Sequence, residues 1–282
     1  MTFPKSKPPH NIRVLHGWIR EYARAHDQAE GRLKRTIDYM LVALAFDRAR
    51  DRTGQCMFAI KGRVSMELRL QLDARATQDL DAVFLGSFDD WLDALDDALA
   101  QPVCEFDLSR GEPESIASTR TMRLAVHIDY RGRRWGTVPL EVAPAERSEV
   151  LDIDEIAPFD ISQFGLPAVE RVPVVGLPYL IAQKLHACTE THADRDNPRV
   201  RDLVDLLLAG ELLRPADLTR VREACVAIFD GRDTHTWPPT LRPPTSWAAP
   251  YAKLANEQQL PVTDVEHAVQ EVQRFIETID HA

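Results

Sequence analysis

The chain has 282 residues, 44% of them hydrophobic and 28% charged, with a formal charge of −10 at pH 7. That balance supplies ample core for one elaborated domain or two intimate ones, and it excludes a disordered polyelectrolyte and a basic coat for nucleic acid. No apolar run reaches the ~18 residues a membrane span needs, and Met1-Thr2-Phe3-Pro4-Lys5 lacks a signal-like apolar stretch, so a cytoplasmic protein with no membrane partner is expected.

Two helices are predicted before residue 50, one near Arg13–His26 and one near Leu33–Arg50, where Ile37, Met40, Leu41, Leu44 and Ala45 make an apolar stripe. Cys-Met-Phe-Ala-Ile at 56–60 reads as a short buried strand. Lys61-Gly62 follows as a turn with one residue free to take positive φ. Val64, Leu68 and Leu72 then recur at helical spacing, so the first N–H groups of that helix would face an anion, helped by Lys61 or Arg63.

Asp79-Leu80-Asp81 opens the next strand. Residues i and i+2 of a strand share a face, so both carboxylates aim into one site while Leu80 turns into the core. Such a pair suits Mg²⁺, which prefers hard oxygen ligands and takes one or two carboxylates together with substrate phosphates. Two solvated acids at a strand end are the plainer alternative. Glu141, alone among apolar residues in Val138-Pro139-Leu140-Glu141-Val142, is the candidate third acid, because an unpaired charge in a buried strand is costly.

A helix at Phe88–Ala100 and strands near 103–108, 121–130 and 134–143 complete an α/β (α+β) core, a mixed sheet flanked by helices. Arg120, Arg123, Arg131, Arg133 and Arg134 gather around a predicted hairpin, and Arg195, Arg199 and Arg201 come later, suggesting a basic path for RNA. After a connecting stretch, Leu151–Gly176, the chain becomes helical over 178–230 and 247–279, interrupted by the proline-rich run at 237–244. This divides the protein into residues 1–176 and a helical C-terminal domain, 177–282. In that domain Lys184 stands on one helix, and Asp202 and Asp205 share a face of the next at i and i+3. The four cysteines are far apart, so free core thiols are expected, and His186, Cys188 and His192 lack the paired spacing of a zinc site.

The order of these blocks, a strand, a Gly turn, a helix, Asp79-x-Asp81, the later acid Glu141, then Tyr179–Thr189 and Arg201–Leu206, resembles the AbiEii group of bacterial toxins, including the MenA-type toxins, within the polymerase β-like nucleotidyltransferase superfamily. The resemblance spans roughly residues 50–215. It implies that Asp79, Asp81 and Glu141 bind metal and that Lys61, Gly62, Arg63 and Ser65 meet the nucleotide. It also implies that Lys184 with Thr189 contacts phosphate, and that Asp202 or Asp205 holds Lys184 or serves as base.

The implied function is the toxin of a toxin–antitoxin system, a Mg²⁺-dependent enzyme that moves NMP from NTP to the 3′ acceptor end of tRNA and so blocks translation. An antitoxin encoded nearby is the implied partner. The alternatives are a non-catalytic nucleotide- or partner-binding scaffold, prompted by Arg63 where a small residue is usual, and nucleotidyl or phosphoryl transfer to protein. Thr77 and Ser65 lie close enough to the site in sequence that phosphorylation, adding about −1.5 to −2 charge, would repel a triphosphate.

Overall fold

A computed structural model describes residues 3–70, 79–116, 119–146 and 151–282. They form two compact units: residues 3–70, 79–145 and 155–174 in the first, and residues 146, 151–154 and 175–282 in the second.

The first unit opens with α1 (Ile12–Ala25) and α2 (Glu30–Phe46). Asn11 caps α1 by accepting from the Val14 N–H at 3.1 Å, and Leu15, Ile19 and Ala23, four residues apart, bury one face. Next come β1 (Phe58–Ile60), α3 (Gly62–Arg69), β2 (Leu80–Phe84), α4 (Trp91–Leu99), β3 (Phe106–Arg110) and β4 (Glu114–Ser115). Then β5 (Met122–Tyr130) and β6 (Arg133–Pro144) make a long hairpin around Arg131 and Gly132, both at positive φ, as a tight turn of right-handed strands requires. The short strands β7 (Ile153–Ile156) and β8 (Val172–Val175) follow.

The strands join in the order β3-β5-β6-β2-β1-β8-β7, with β4 beside β5. β2 runs parallel to β6 and antiparallel to β1, so the sheet is mixed. One face carries Leu80, Ala82 and Phe84 of β2, Leu140 and Val142 of β6, and Leu124 and Val126 of β5, all buried in a core shared with α1, α2 and α4. By the period of two, Asp81, Glu141 and Arg123 stand on the opposite face.

Two features depart from the sequence reading. β7 and β8 lie in what reads as a connection: Val-Pro-Val-Val is too short to stand out, and its proline argues against a strand, yet all four residues are buried and Val174 pairs with Ile60 of β1. Of the four cysteines, all free, only Cys188 and Cys225 are core thiols, while Cys56 is half-buried and Cys104 exposed.

The second unit contains α5 (Leu177–Thr189), α6 (Val200–Leu212), α7 (Leu218–Arg232), α8 (Ala248–Glu257) and α9 (Val265–Asp280). Pro178 stands in the first turn of α5, where its missing N–H costs nothing. The proline-rich run is packed down: the Trp237 indole N–H donates to Asp280 at 2.9 Å, and buried Trp247 donates to the Asn197 carbonyl at 2.6 Å. Among the described residues no helix is long and apolar enough to cross a membrane.

Candidate functional site

In the first unit the strand register assembles a row of charged groups. Asp81 pairs with Glu141 across the parallel β2/β6 ladder, and Glu141 pairs with Arg123 across the antiparallel β6/β5 ladder. Neighbouring strands lie ~4.8 Å apart, so the three side chains rise from one face within about 10 Å. Asp79 is half-buried just ahead of β2, and its charge is felt at Arg123.

The turn before α3 is built against this row. The Lys61 N–H donates to the Asp81 carbonyl at 2.9 Å, which fastens the turn to β2. Gly62 has φ of +62°, and a Cβ there would overlap a carboxylate oxygen of Asp81 and lie 3.2 Å from its Cγ. Glycine is therefore required twice, for the backbone angle and for the close approach. Lys61 occupies the N-cap and supplies no side-chain acceptor, so it does not compete with an anion for the first-turn N–H groups of α3.

Arg123 is the residue that the sequence reading placed elsewhere. Its Nε donates to Glu141 Oε1 at 3.0 Å and its terminal nitrogen closes a second bond to the same oxygen. Glu141 is 20% exposed and Arg123 53%, so this is an ion pair at the rim of the acid row. The arginines around the hairpin do not form one patch. Arg123 and Arg131 are eight residues apart along β5, about 27 Å at strand rise, and Arg131 and Arg134 are already paired with Glu105 and Asp129.

The donor chemistry fits a hard divalent cation: Asp81 and Glu141 offer carboxylate oxygens on adjacent strands beside a glycine cradle, and Mg²⁺ needs one or two carboxylates when phosphates complete its shell. No three His, Cys, Asp or Glu side chains among the described residues converge to hold a metal ion, and Arg123 occupies one oxygen of the third acid.

The second unit holds a separate charged cluster. Lys184 on α5 donates to Asp202 at 2.9 Å and to Asp205 at 2.7 Å, both on α6, and its side chain is 10% exposed. Burial pushes the Lys184 ammonium towards neutrality, but the charges of Asp205 and Asp202 outweigh it and hold the group above the ordinary lysine range.

The profile of the nucleotidyl transferase AbiEii toxin family, described as a type IV toxin–antitoxin system, matches residues 45–276, nearly the whole chain. The chain belongs to the AbiEii nucleotidyl transferase toxin family. Among solved structures it is similar to MenT4, the nucleotidyltransferase toxin Rv2826c from Mycobacterium tuberculosis H37Rv, with a TM-score of 0.56 and 17% identity over 95% of this chain and 90% of that one. Weaker likeness extends to ANT(2″)-Ia in complex with adenylyl-2″-tobramycin, at a TM-score of 0.38 and 15% identity over 71% of this chain and 98% of the other. No curated protein matches.

Within this AbiEii family chain, two of the expected nucleotide contacts are buried. Ser65 is wholly buried, with no hydrogen-bond partner for its hydroxyl among the described residues, and its N–H is directed to the Lys61 carbonyl. One turn into α3, it is enclosed rather than presented at the surface. Thr189 is also buried; its hydroxyl donates to the Leu185 carbonyl at 2.8 Å and lies 2.8 Å from His235 Nε2. Thr77 lies outside the described residues.

His235 belongs to a network that periodicity alone did not reveal. Glu146 takes two bonds from Arg232, at 2.7 and 2.8 Å, Arg232 lies 3.2 Å from His186 Nδ1, and Thr234 links His186 to His235. Burial and the Arg232 charge push the His186 imidazole down to about 4. The neutral ring therefore stabilises the fold fully above its unfolded value near 6.5, and that contribution is lost as pH falls from 6.5 towards 4. The thermal midpoint is expected to fall between pH 7.5 and 5, with a shallower slope in His186→Gln. An unchanged slope would contradict the assignment.

Proposed function

We propose that this AbiEii family chain is a Mg²⁺-dependent enzyme that transfers NMP from an NTP to the 3′ end of tRNA and thereby blocks translation, under the control of an antitoxin encoded nearby. The observation that carries the reading is the alignment of Asp81 with Glu141 beside the Gly62 turn, because carboxylate oxygens of the kind Mg²⁺ prefers then stand near helix N–H groups suited to phosphate. The tRNA acceptor rests on the resemblance of the sequence blocks to the MenA-type toxins and not on a basic groove, since the hairpin arginines are dispersed and largely paired.

In this scheme the N–H groups at the start of α3, with Lys61 or Arg63, bind and orient the triphosphate. Asp81 and Glu141, joined by Asp79 just ahead of β2, would hold the metal together with the substrate phosphates, and the metal would supply positive charge to offset that developing on the α-phosphate. The acceptor hydroxyl oxygen bonds to the α-phosphorus, the bond to the bridging oxygen breaks, and pyrophosphate leaves; the hydroxyl proton passes to a carboxylate. In the second unit Lys184 is a fixed positive group suited to an anion, and Asp202 and Asp205 act as its positioners.

Incubation with α- or γ-labelled NTP, with and without bulk tRNA and Mg²⁺, tests this. The α label is expected on tRNA only when the metal is present, while the γ label departs as pyrophosphate. Label on protein instead would favour nucleotidyl or phosphoryl transfer to protein, and no NTP consumption under any condition would favour a binding scaffold.

A further inference from the structure

The pairing of Arg123 with Glu141 has no part in the scheme above. Both N–H groups of one guanidinium edge converge on a single carboxylate oxygen, Oε1, and the pair stands in the same row as Asp81. Arg123 is thus bonded to one of the three acids assigned to the metal and shares a sheet face with a second, Asp81. A divalent ion between Asp81 and Glu141 would meet a carboxylate already bonded to a cation, and a second positive charge within a few ångströms.

We propose that Arg123 is a resident counter-cation of the acid row: it holds Glu141 while the metal is absent, lowers the affinity of the nucleotide-free protein for divalent cations, and is displaced when a metal–triphosphate complex arrives. The released guanidinium then faces a triphosphate, an anion whose geometry suits its fork of N–H donors. Metal loading is in this way coupled to nucleotide, and the free toxin does not carry a charged metal site. This inference rests on the reading of Asp81 and Glu141 as metal ligands.

Titration with Mn²⁺ alone, followed by the electron paramagnetic resonance signal of free Mn²⁺, reads binding without any activity. Arg123 is more than half exposed, so Arg123→Gln should leave the fold intact. The variant is expected to bind Mn²⁺ about tenfold more tightly than the wild type, equivalent to ~1.4 kcal/mol. That gain should vanish in Arg123→Gln/Glu141→Gln, because the newly available oxygen is then gone. Equal affinity of Arg123→Gln and wild type overturns the proposal, as does a gain that survives in the double variant, which would reflect loss of charge alone. Asp81→Asn separates the two layers: undiminished Mn²⁺ binding there defeats the metal reading itself, whereas weakened binding with no Arg123 effect defeats only the counter-cation.

Discussion

Asp81→Asn is expected to slow nucleotide transfer roughly a thousandfold, a loss of about 4 kcal/mol of transition-state stabilisation, while leaving the thermal midpoint nearly unchanged. The reason is positional. Asp81 is half-buried on the sheet face opposite the core, aligned with Glu141 and lying against Gly62, so the amide keeps the shape and removes the charge that a cation needs. Asp79→Ala should act in the same direction. Gly62→Ala provides an independent check on the geometry: its Cβ would force the Asp81 carboxylate aside, and an L-residue at φ of +62° costs about 1–2 kcal/mol. Initial rates with labelled NTP, together with relief of growth arrest on expression, measure all three. Wild-type rates in Asp81→Asn would remove this row of acids from the chemistry.

Lys184→Ala is expected to fail for a different reason. It leaves Asp202 and Asp205 facing each other, with side chains only 14% and 5% exposed, and stripping one partner from a buried ionic cluster costs about 3–5 kcal/mol. The unfolding midpoint should drop by on the order of 10 °C, visible by calorimetry. Lost activity in Lys184→Ala is consequently not evidence of catalysis by itself. Replacing the whole cluster, as Lys184→Met/Asp202→Asn/Asp205→Leu, should recover most of the stability. Activity that returns with it would mark the cluster as architectural, and a stable but inactive triple variant would mark Lys184 as functional. A single variant Lys184→Ala with an unaltered midpoint would contradict the burial argument.

Local pattern carried much of this protein. The alternation in Asp79-Leu80-Asp81 and in Val138–Val142 assigns faces within each strand, because a side chain's face follows from its own backbone. The turn at Gly62 and the amphipathic stripes of α1 and α9 are legible for the same reason, as each depends on neighbours within a few residues. Ser65 shows the limit of such reading. It is near the turn in sequence, yet it is wholly buried where it completes the first turn of α3.

What stands beside what across strands was decided only in three dimensions. A two-residue turn at Arg131-Gly132 pairs Tyr130 with Arg133 and Asp129 with Arg134, and continuing that register would set Arg123 opposite Leu140. A bulge at Trp135 shifts the remainder by one residue, so Ile128 meets Gly136 and Arg123 meets Glu141. The bulged Trp135 is buried, and its indole N–H donates to Asp38 of α2 at 2.5 Å, a residue 97 positions away in the chain. Composition, charge, the secondary elements and the types of residue at the site were therefore set by short-range chemistry that the sequence displays directly. The partner of Glu141, the enclosure of Lys184 and the burial of Ser65 were set by packing between distant segments, since one residue of strand slip exchanges the faces and no local pattern encodes it.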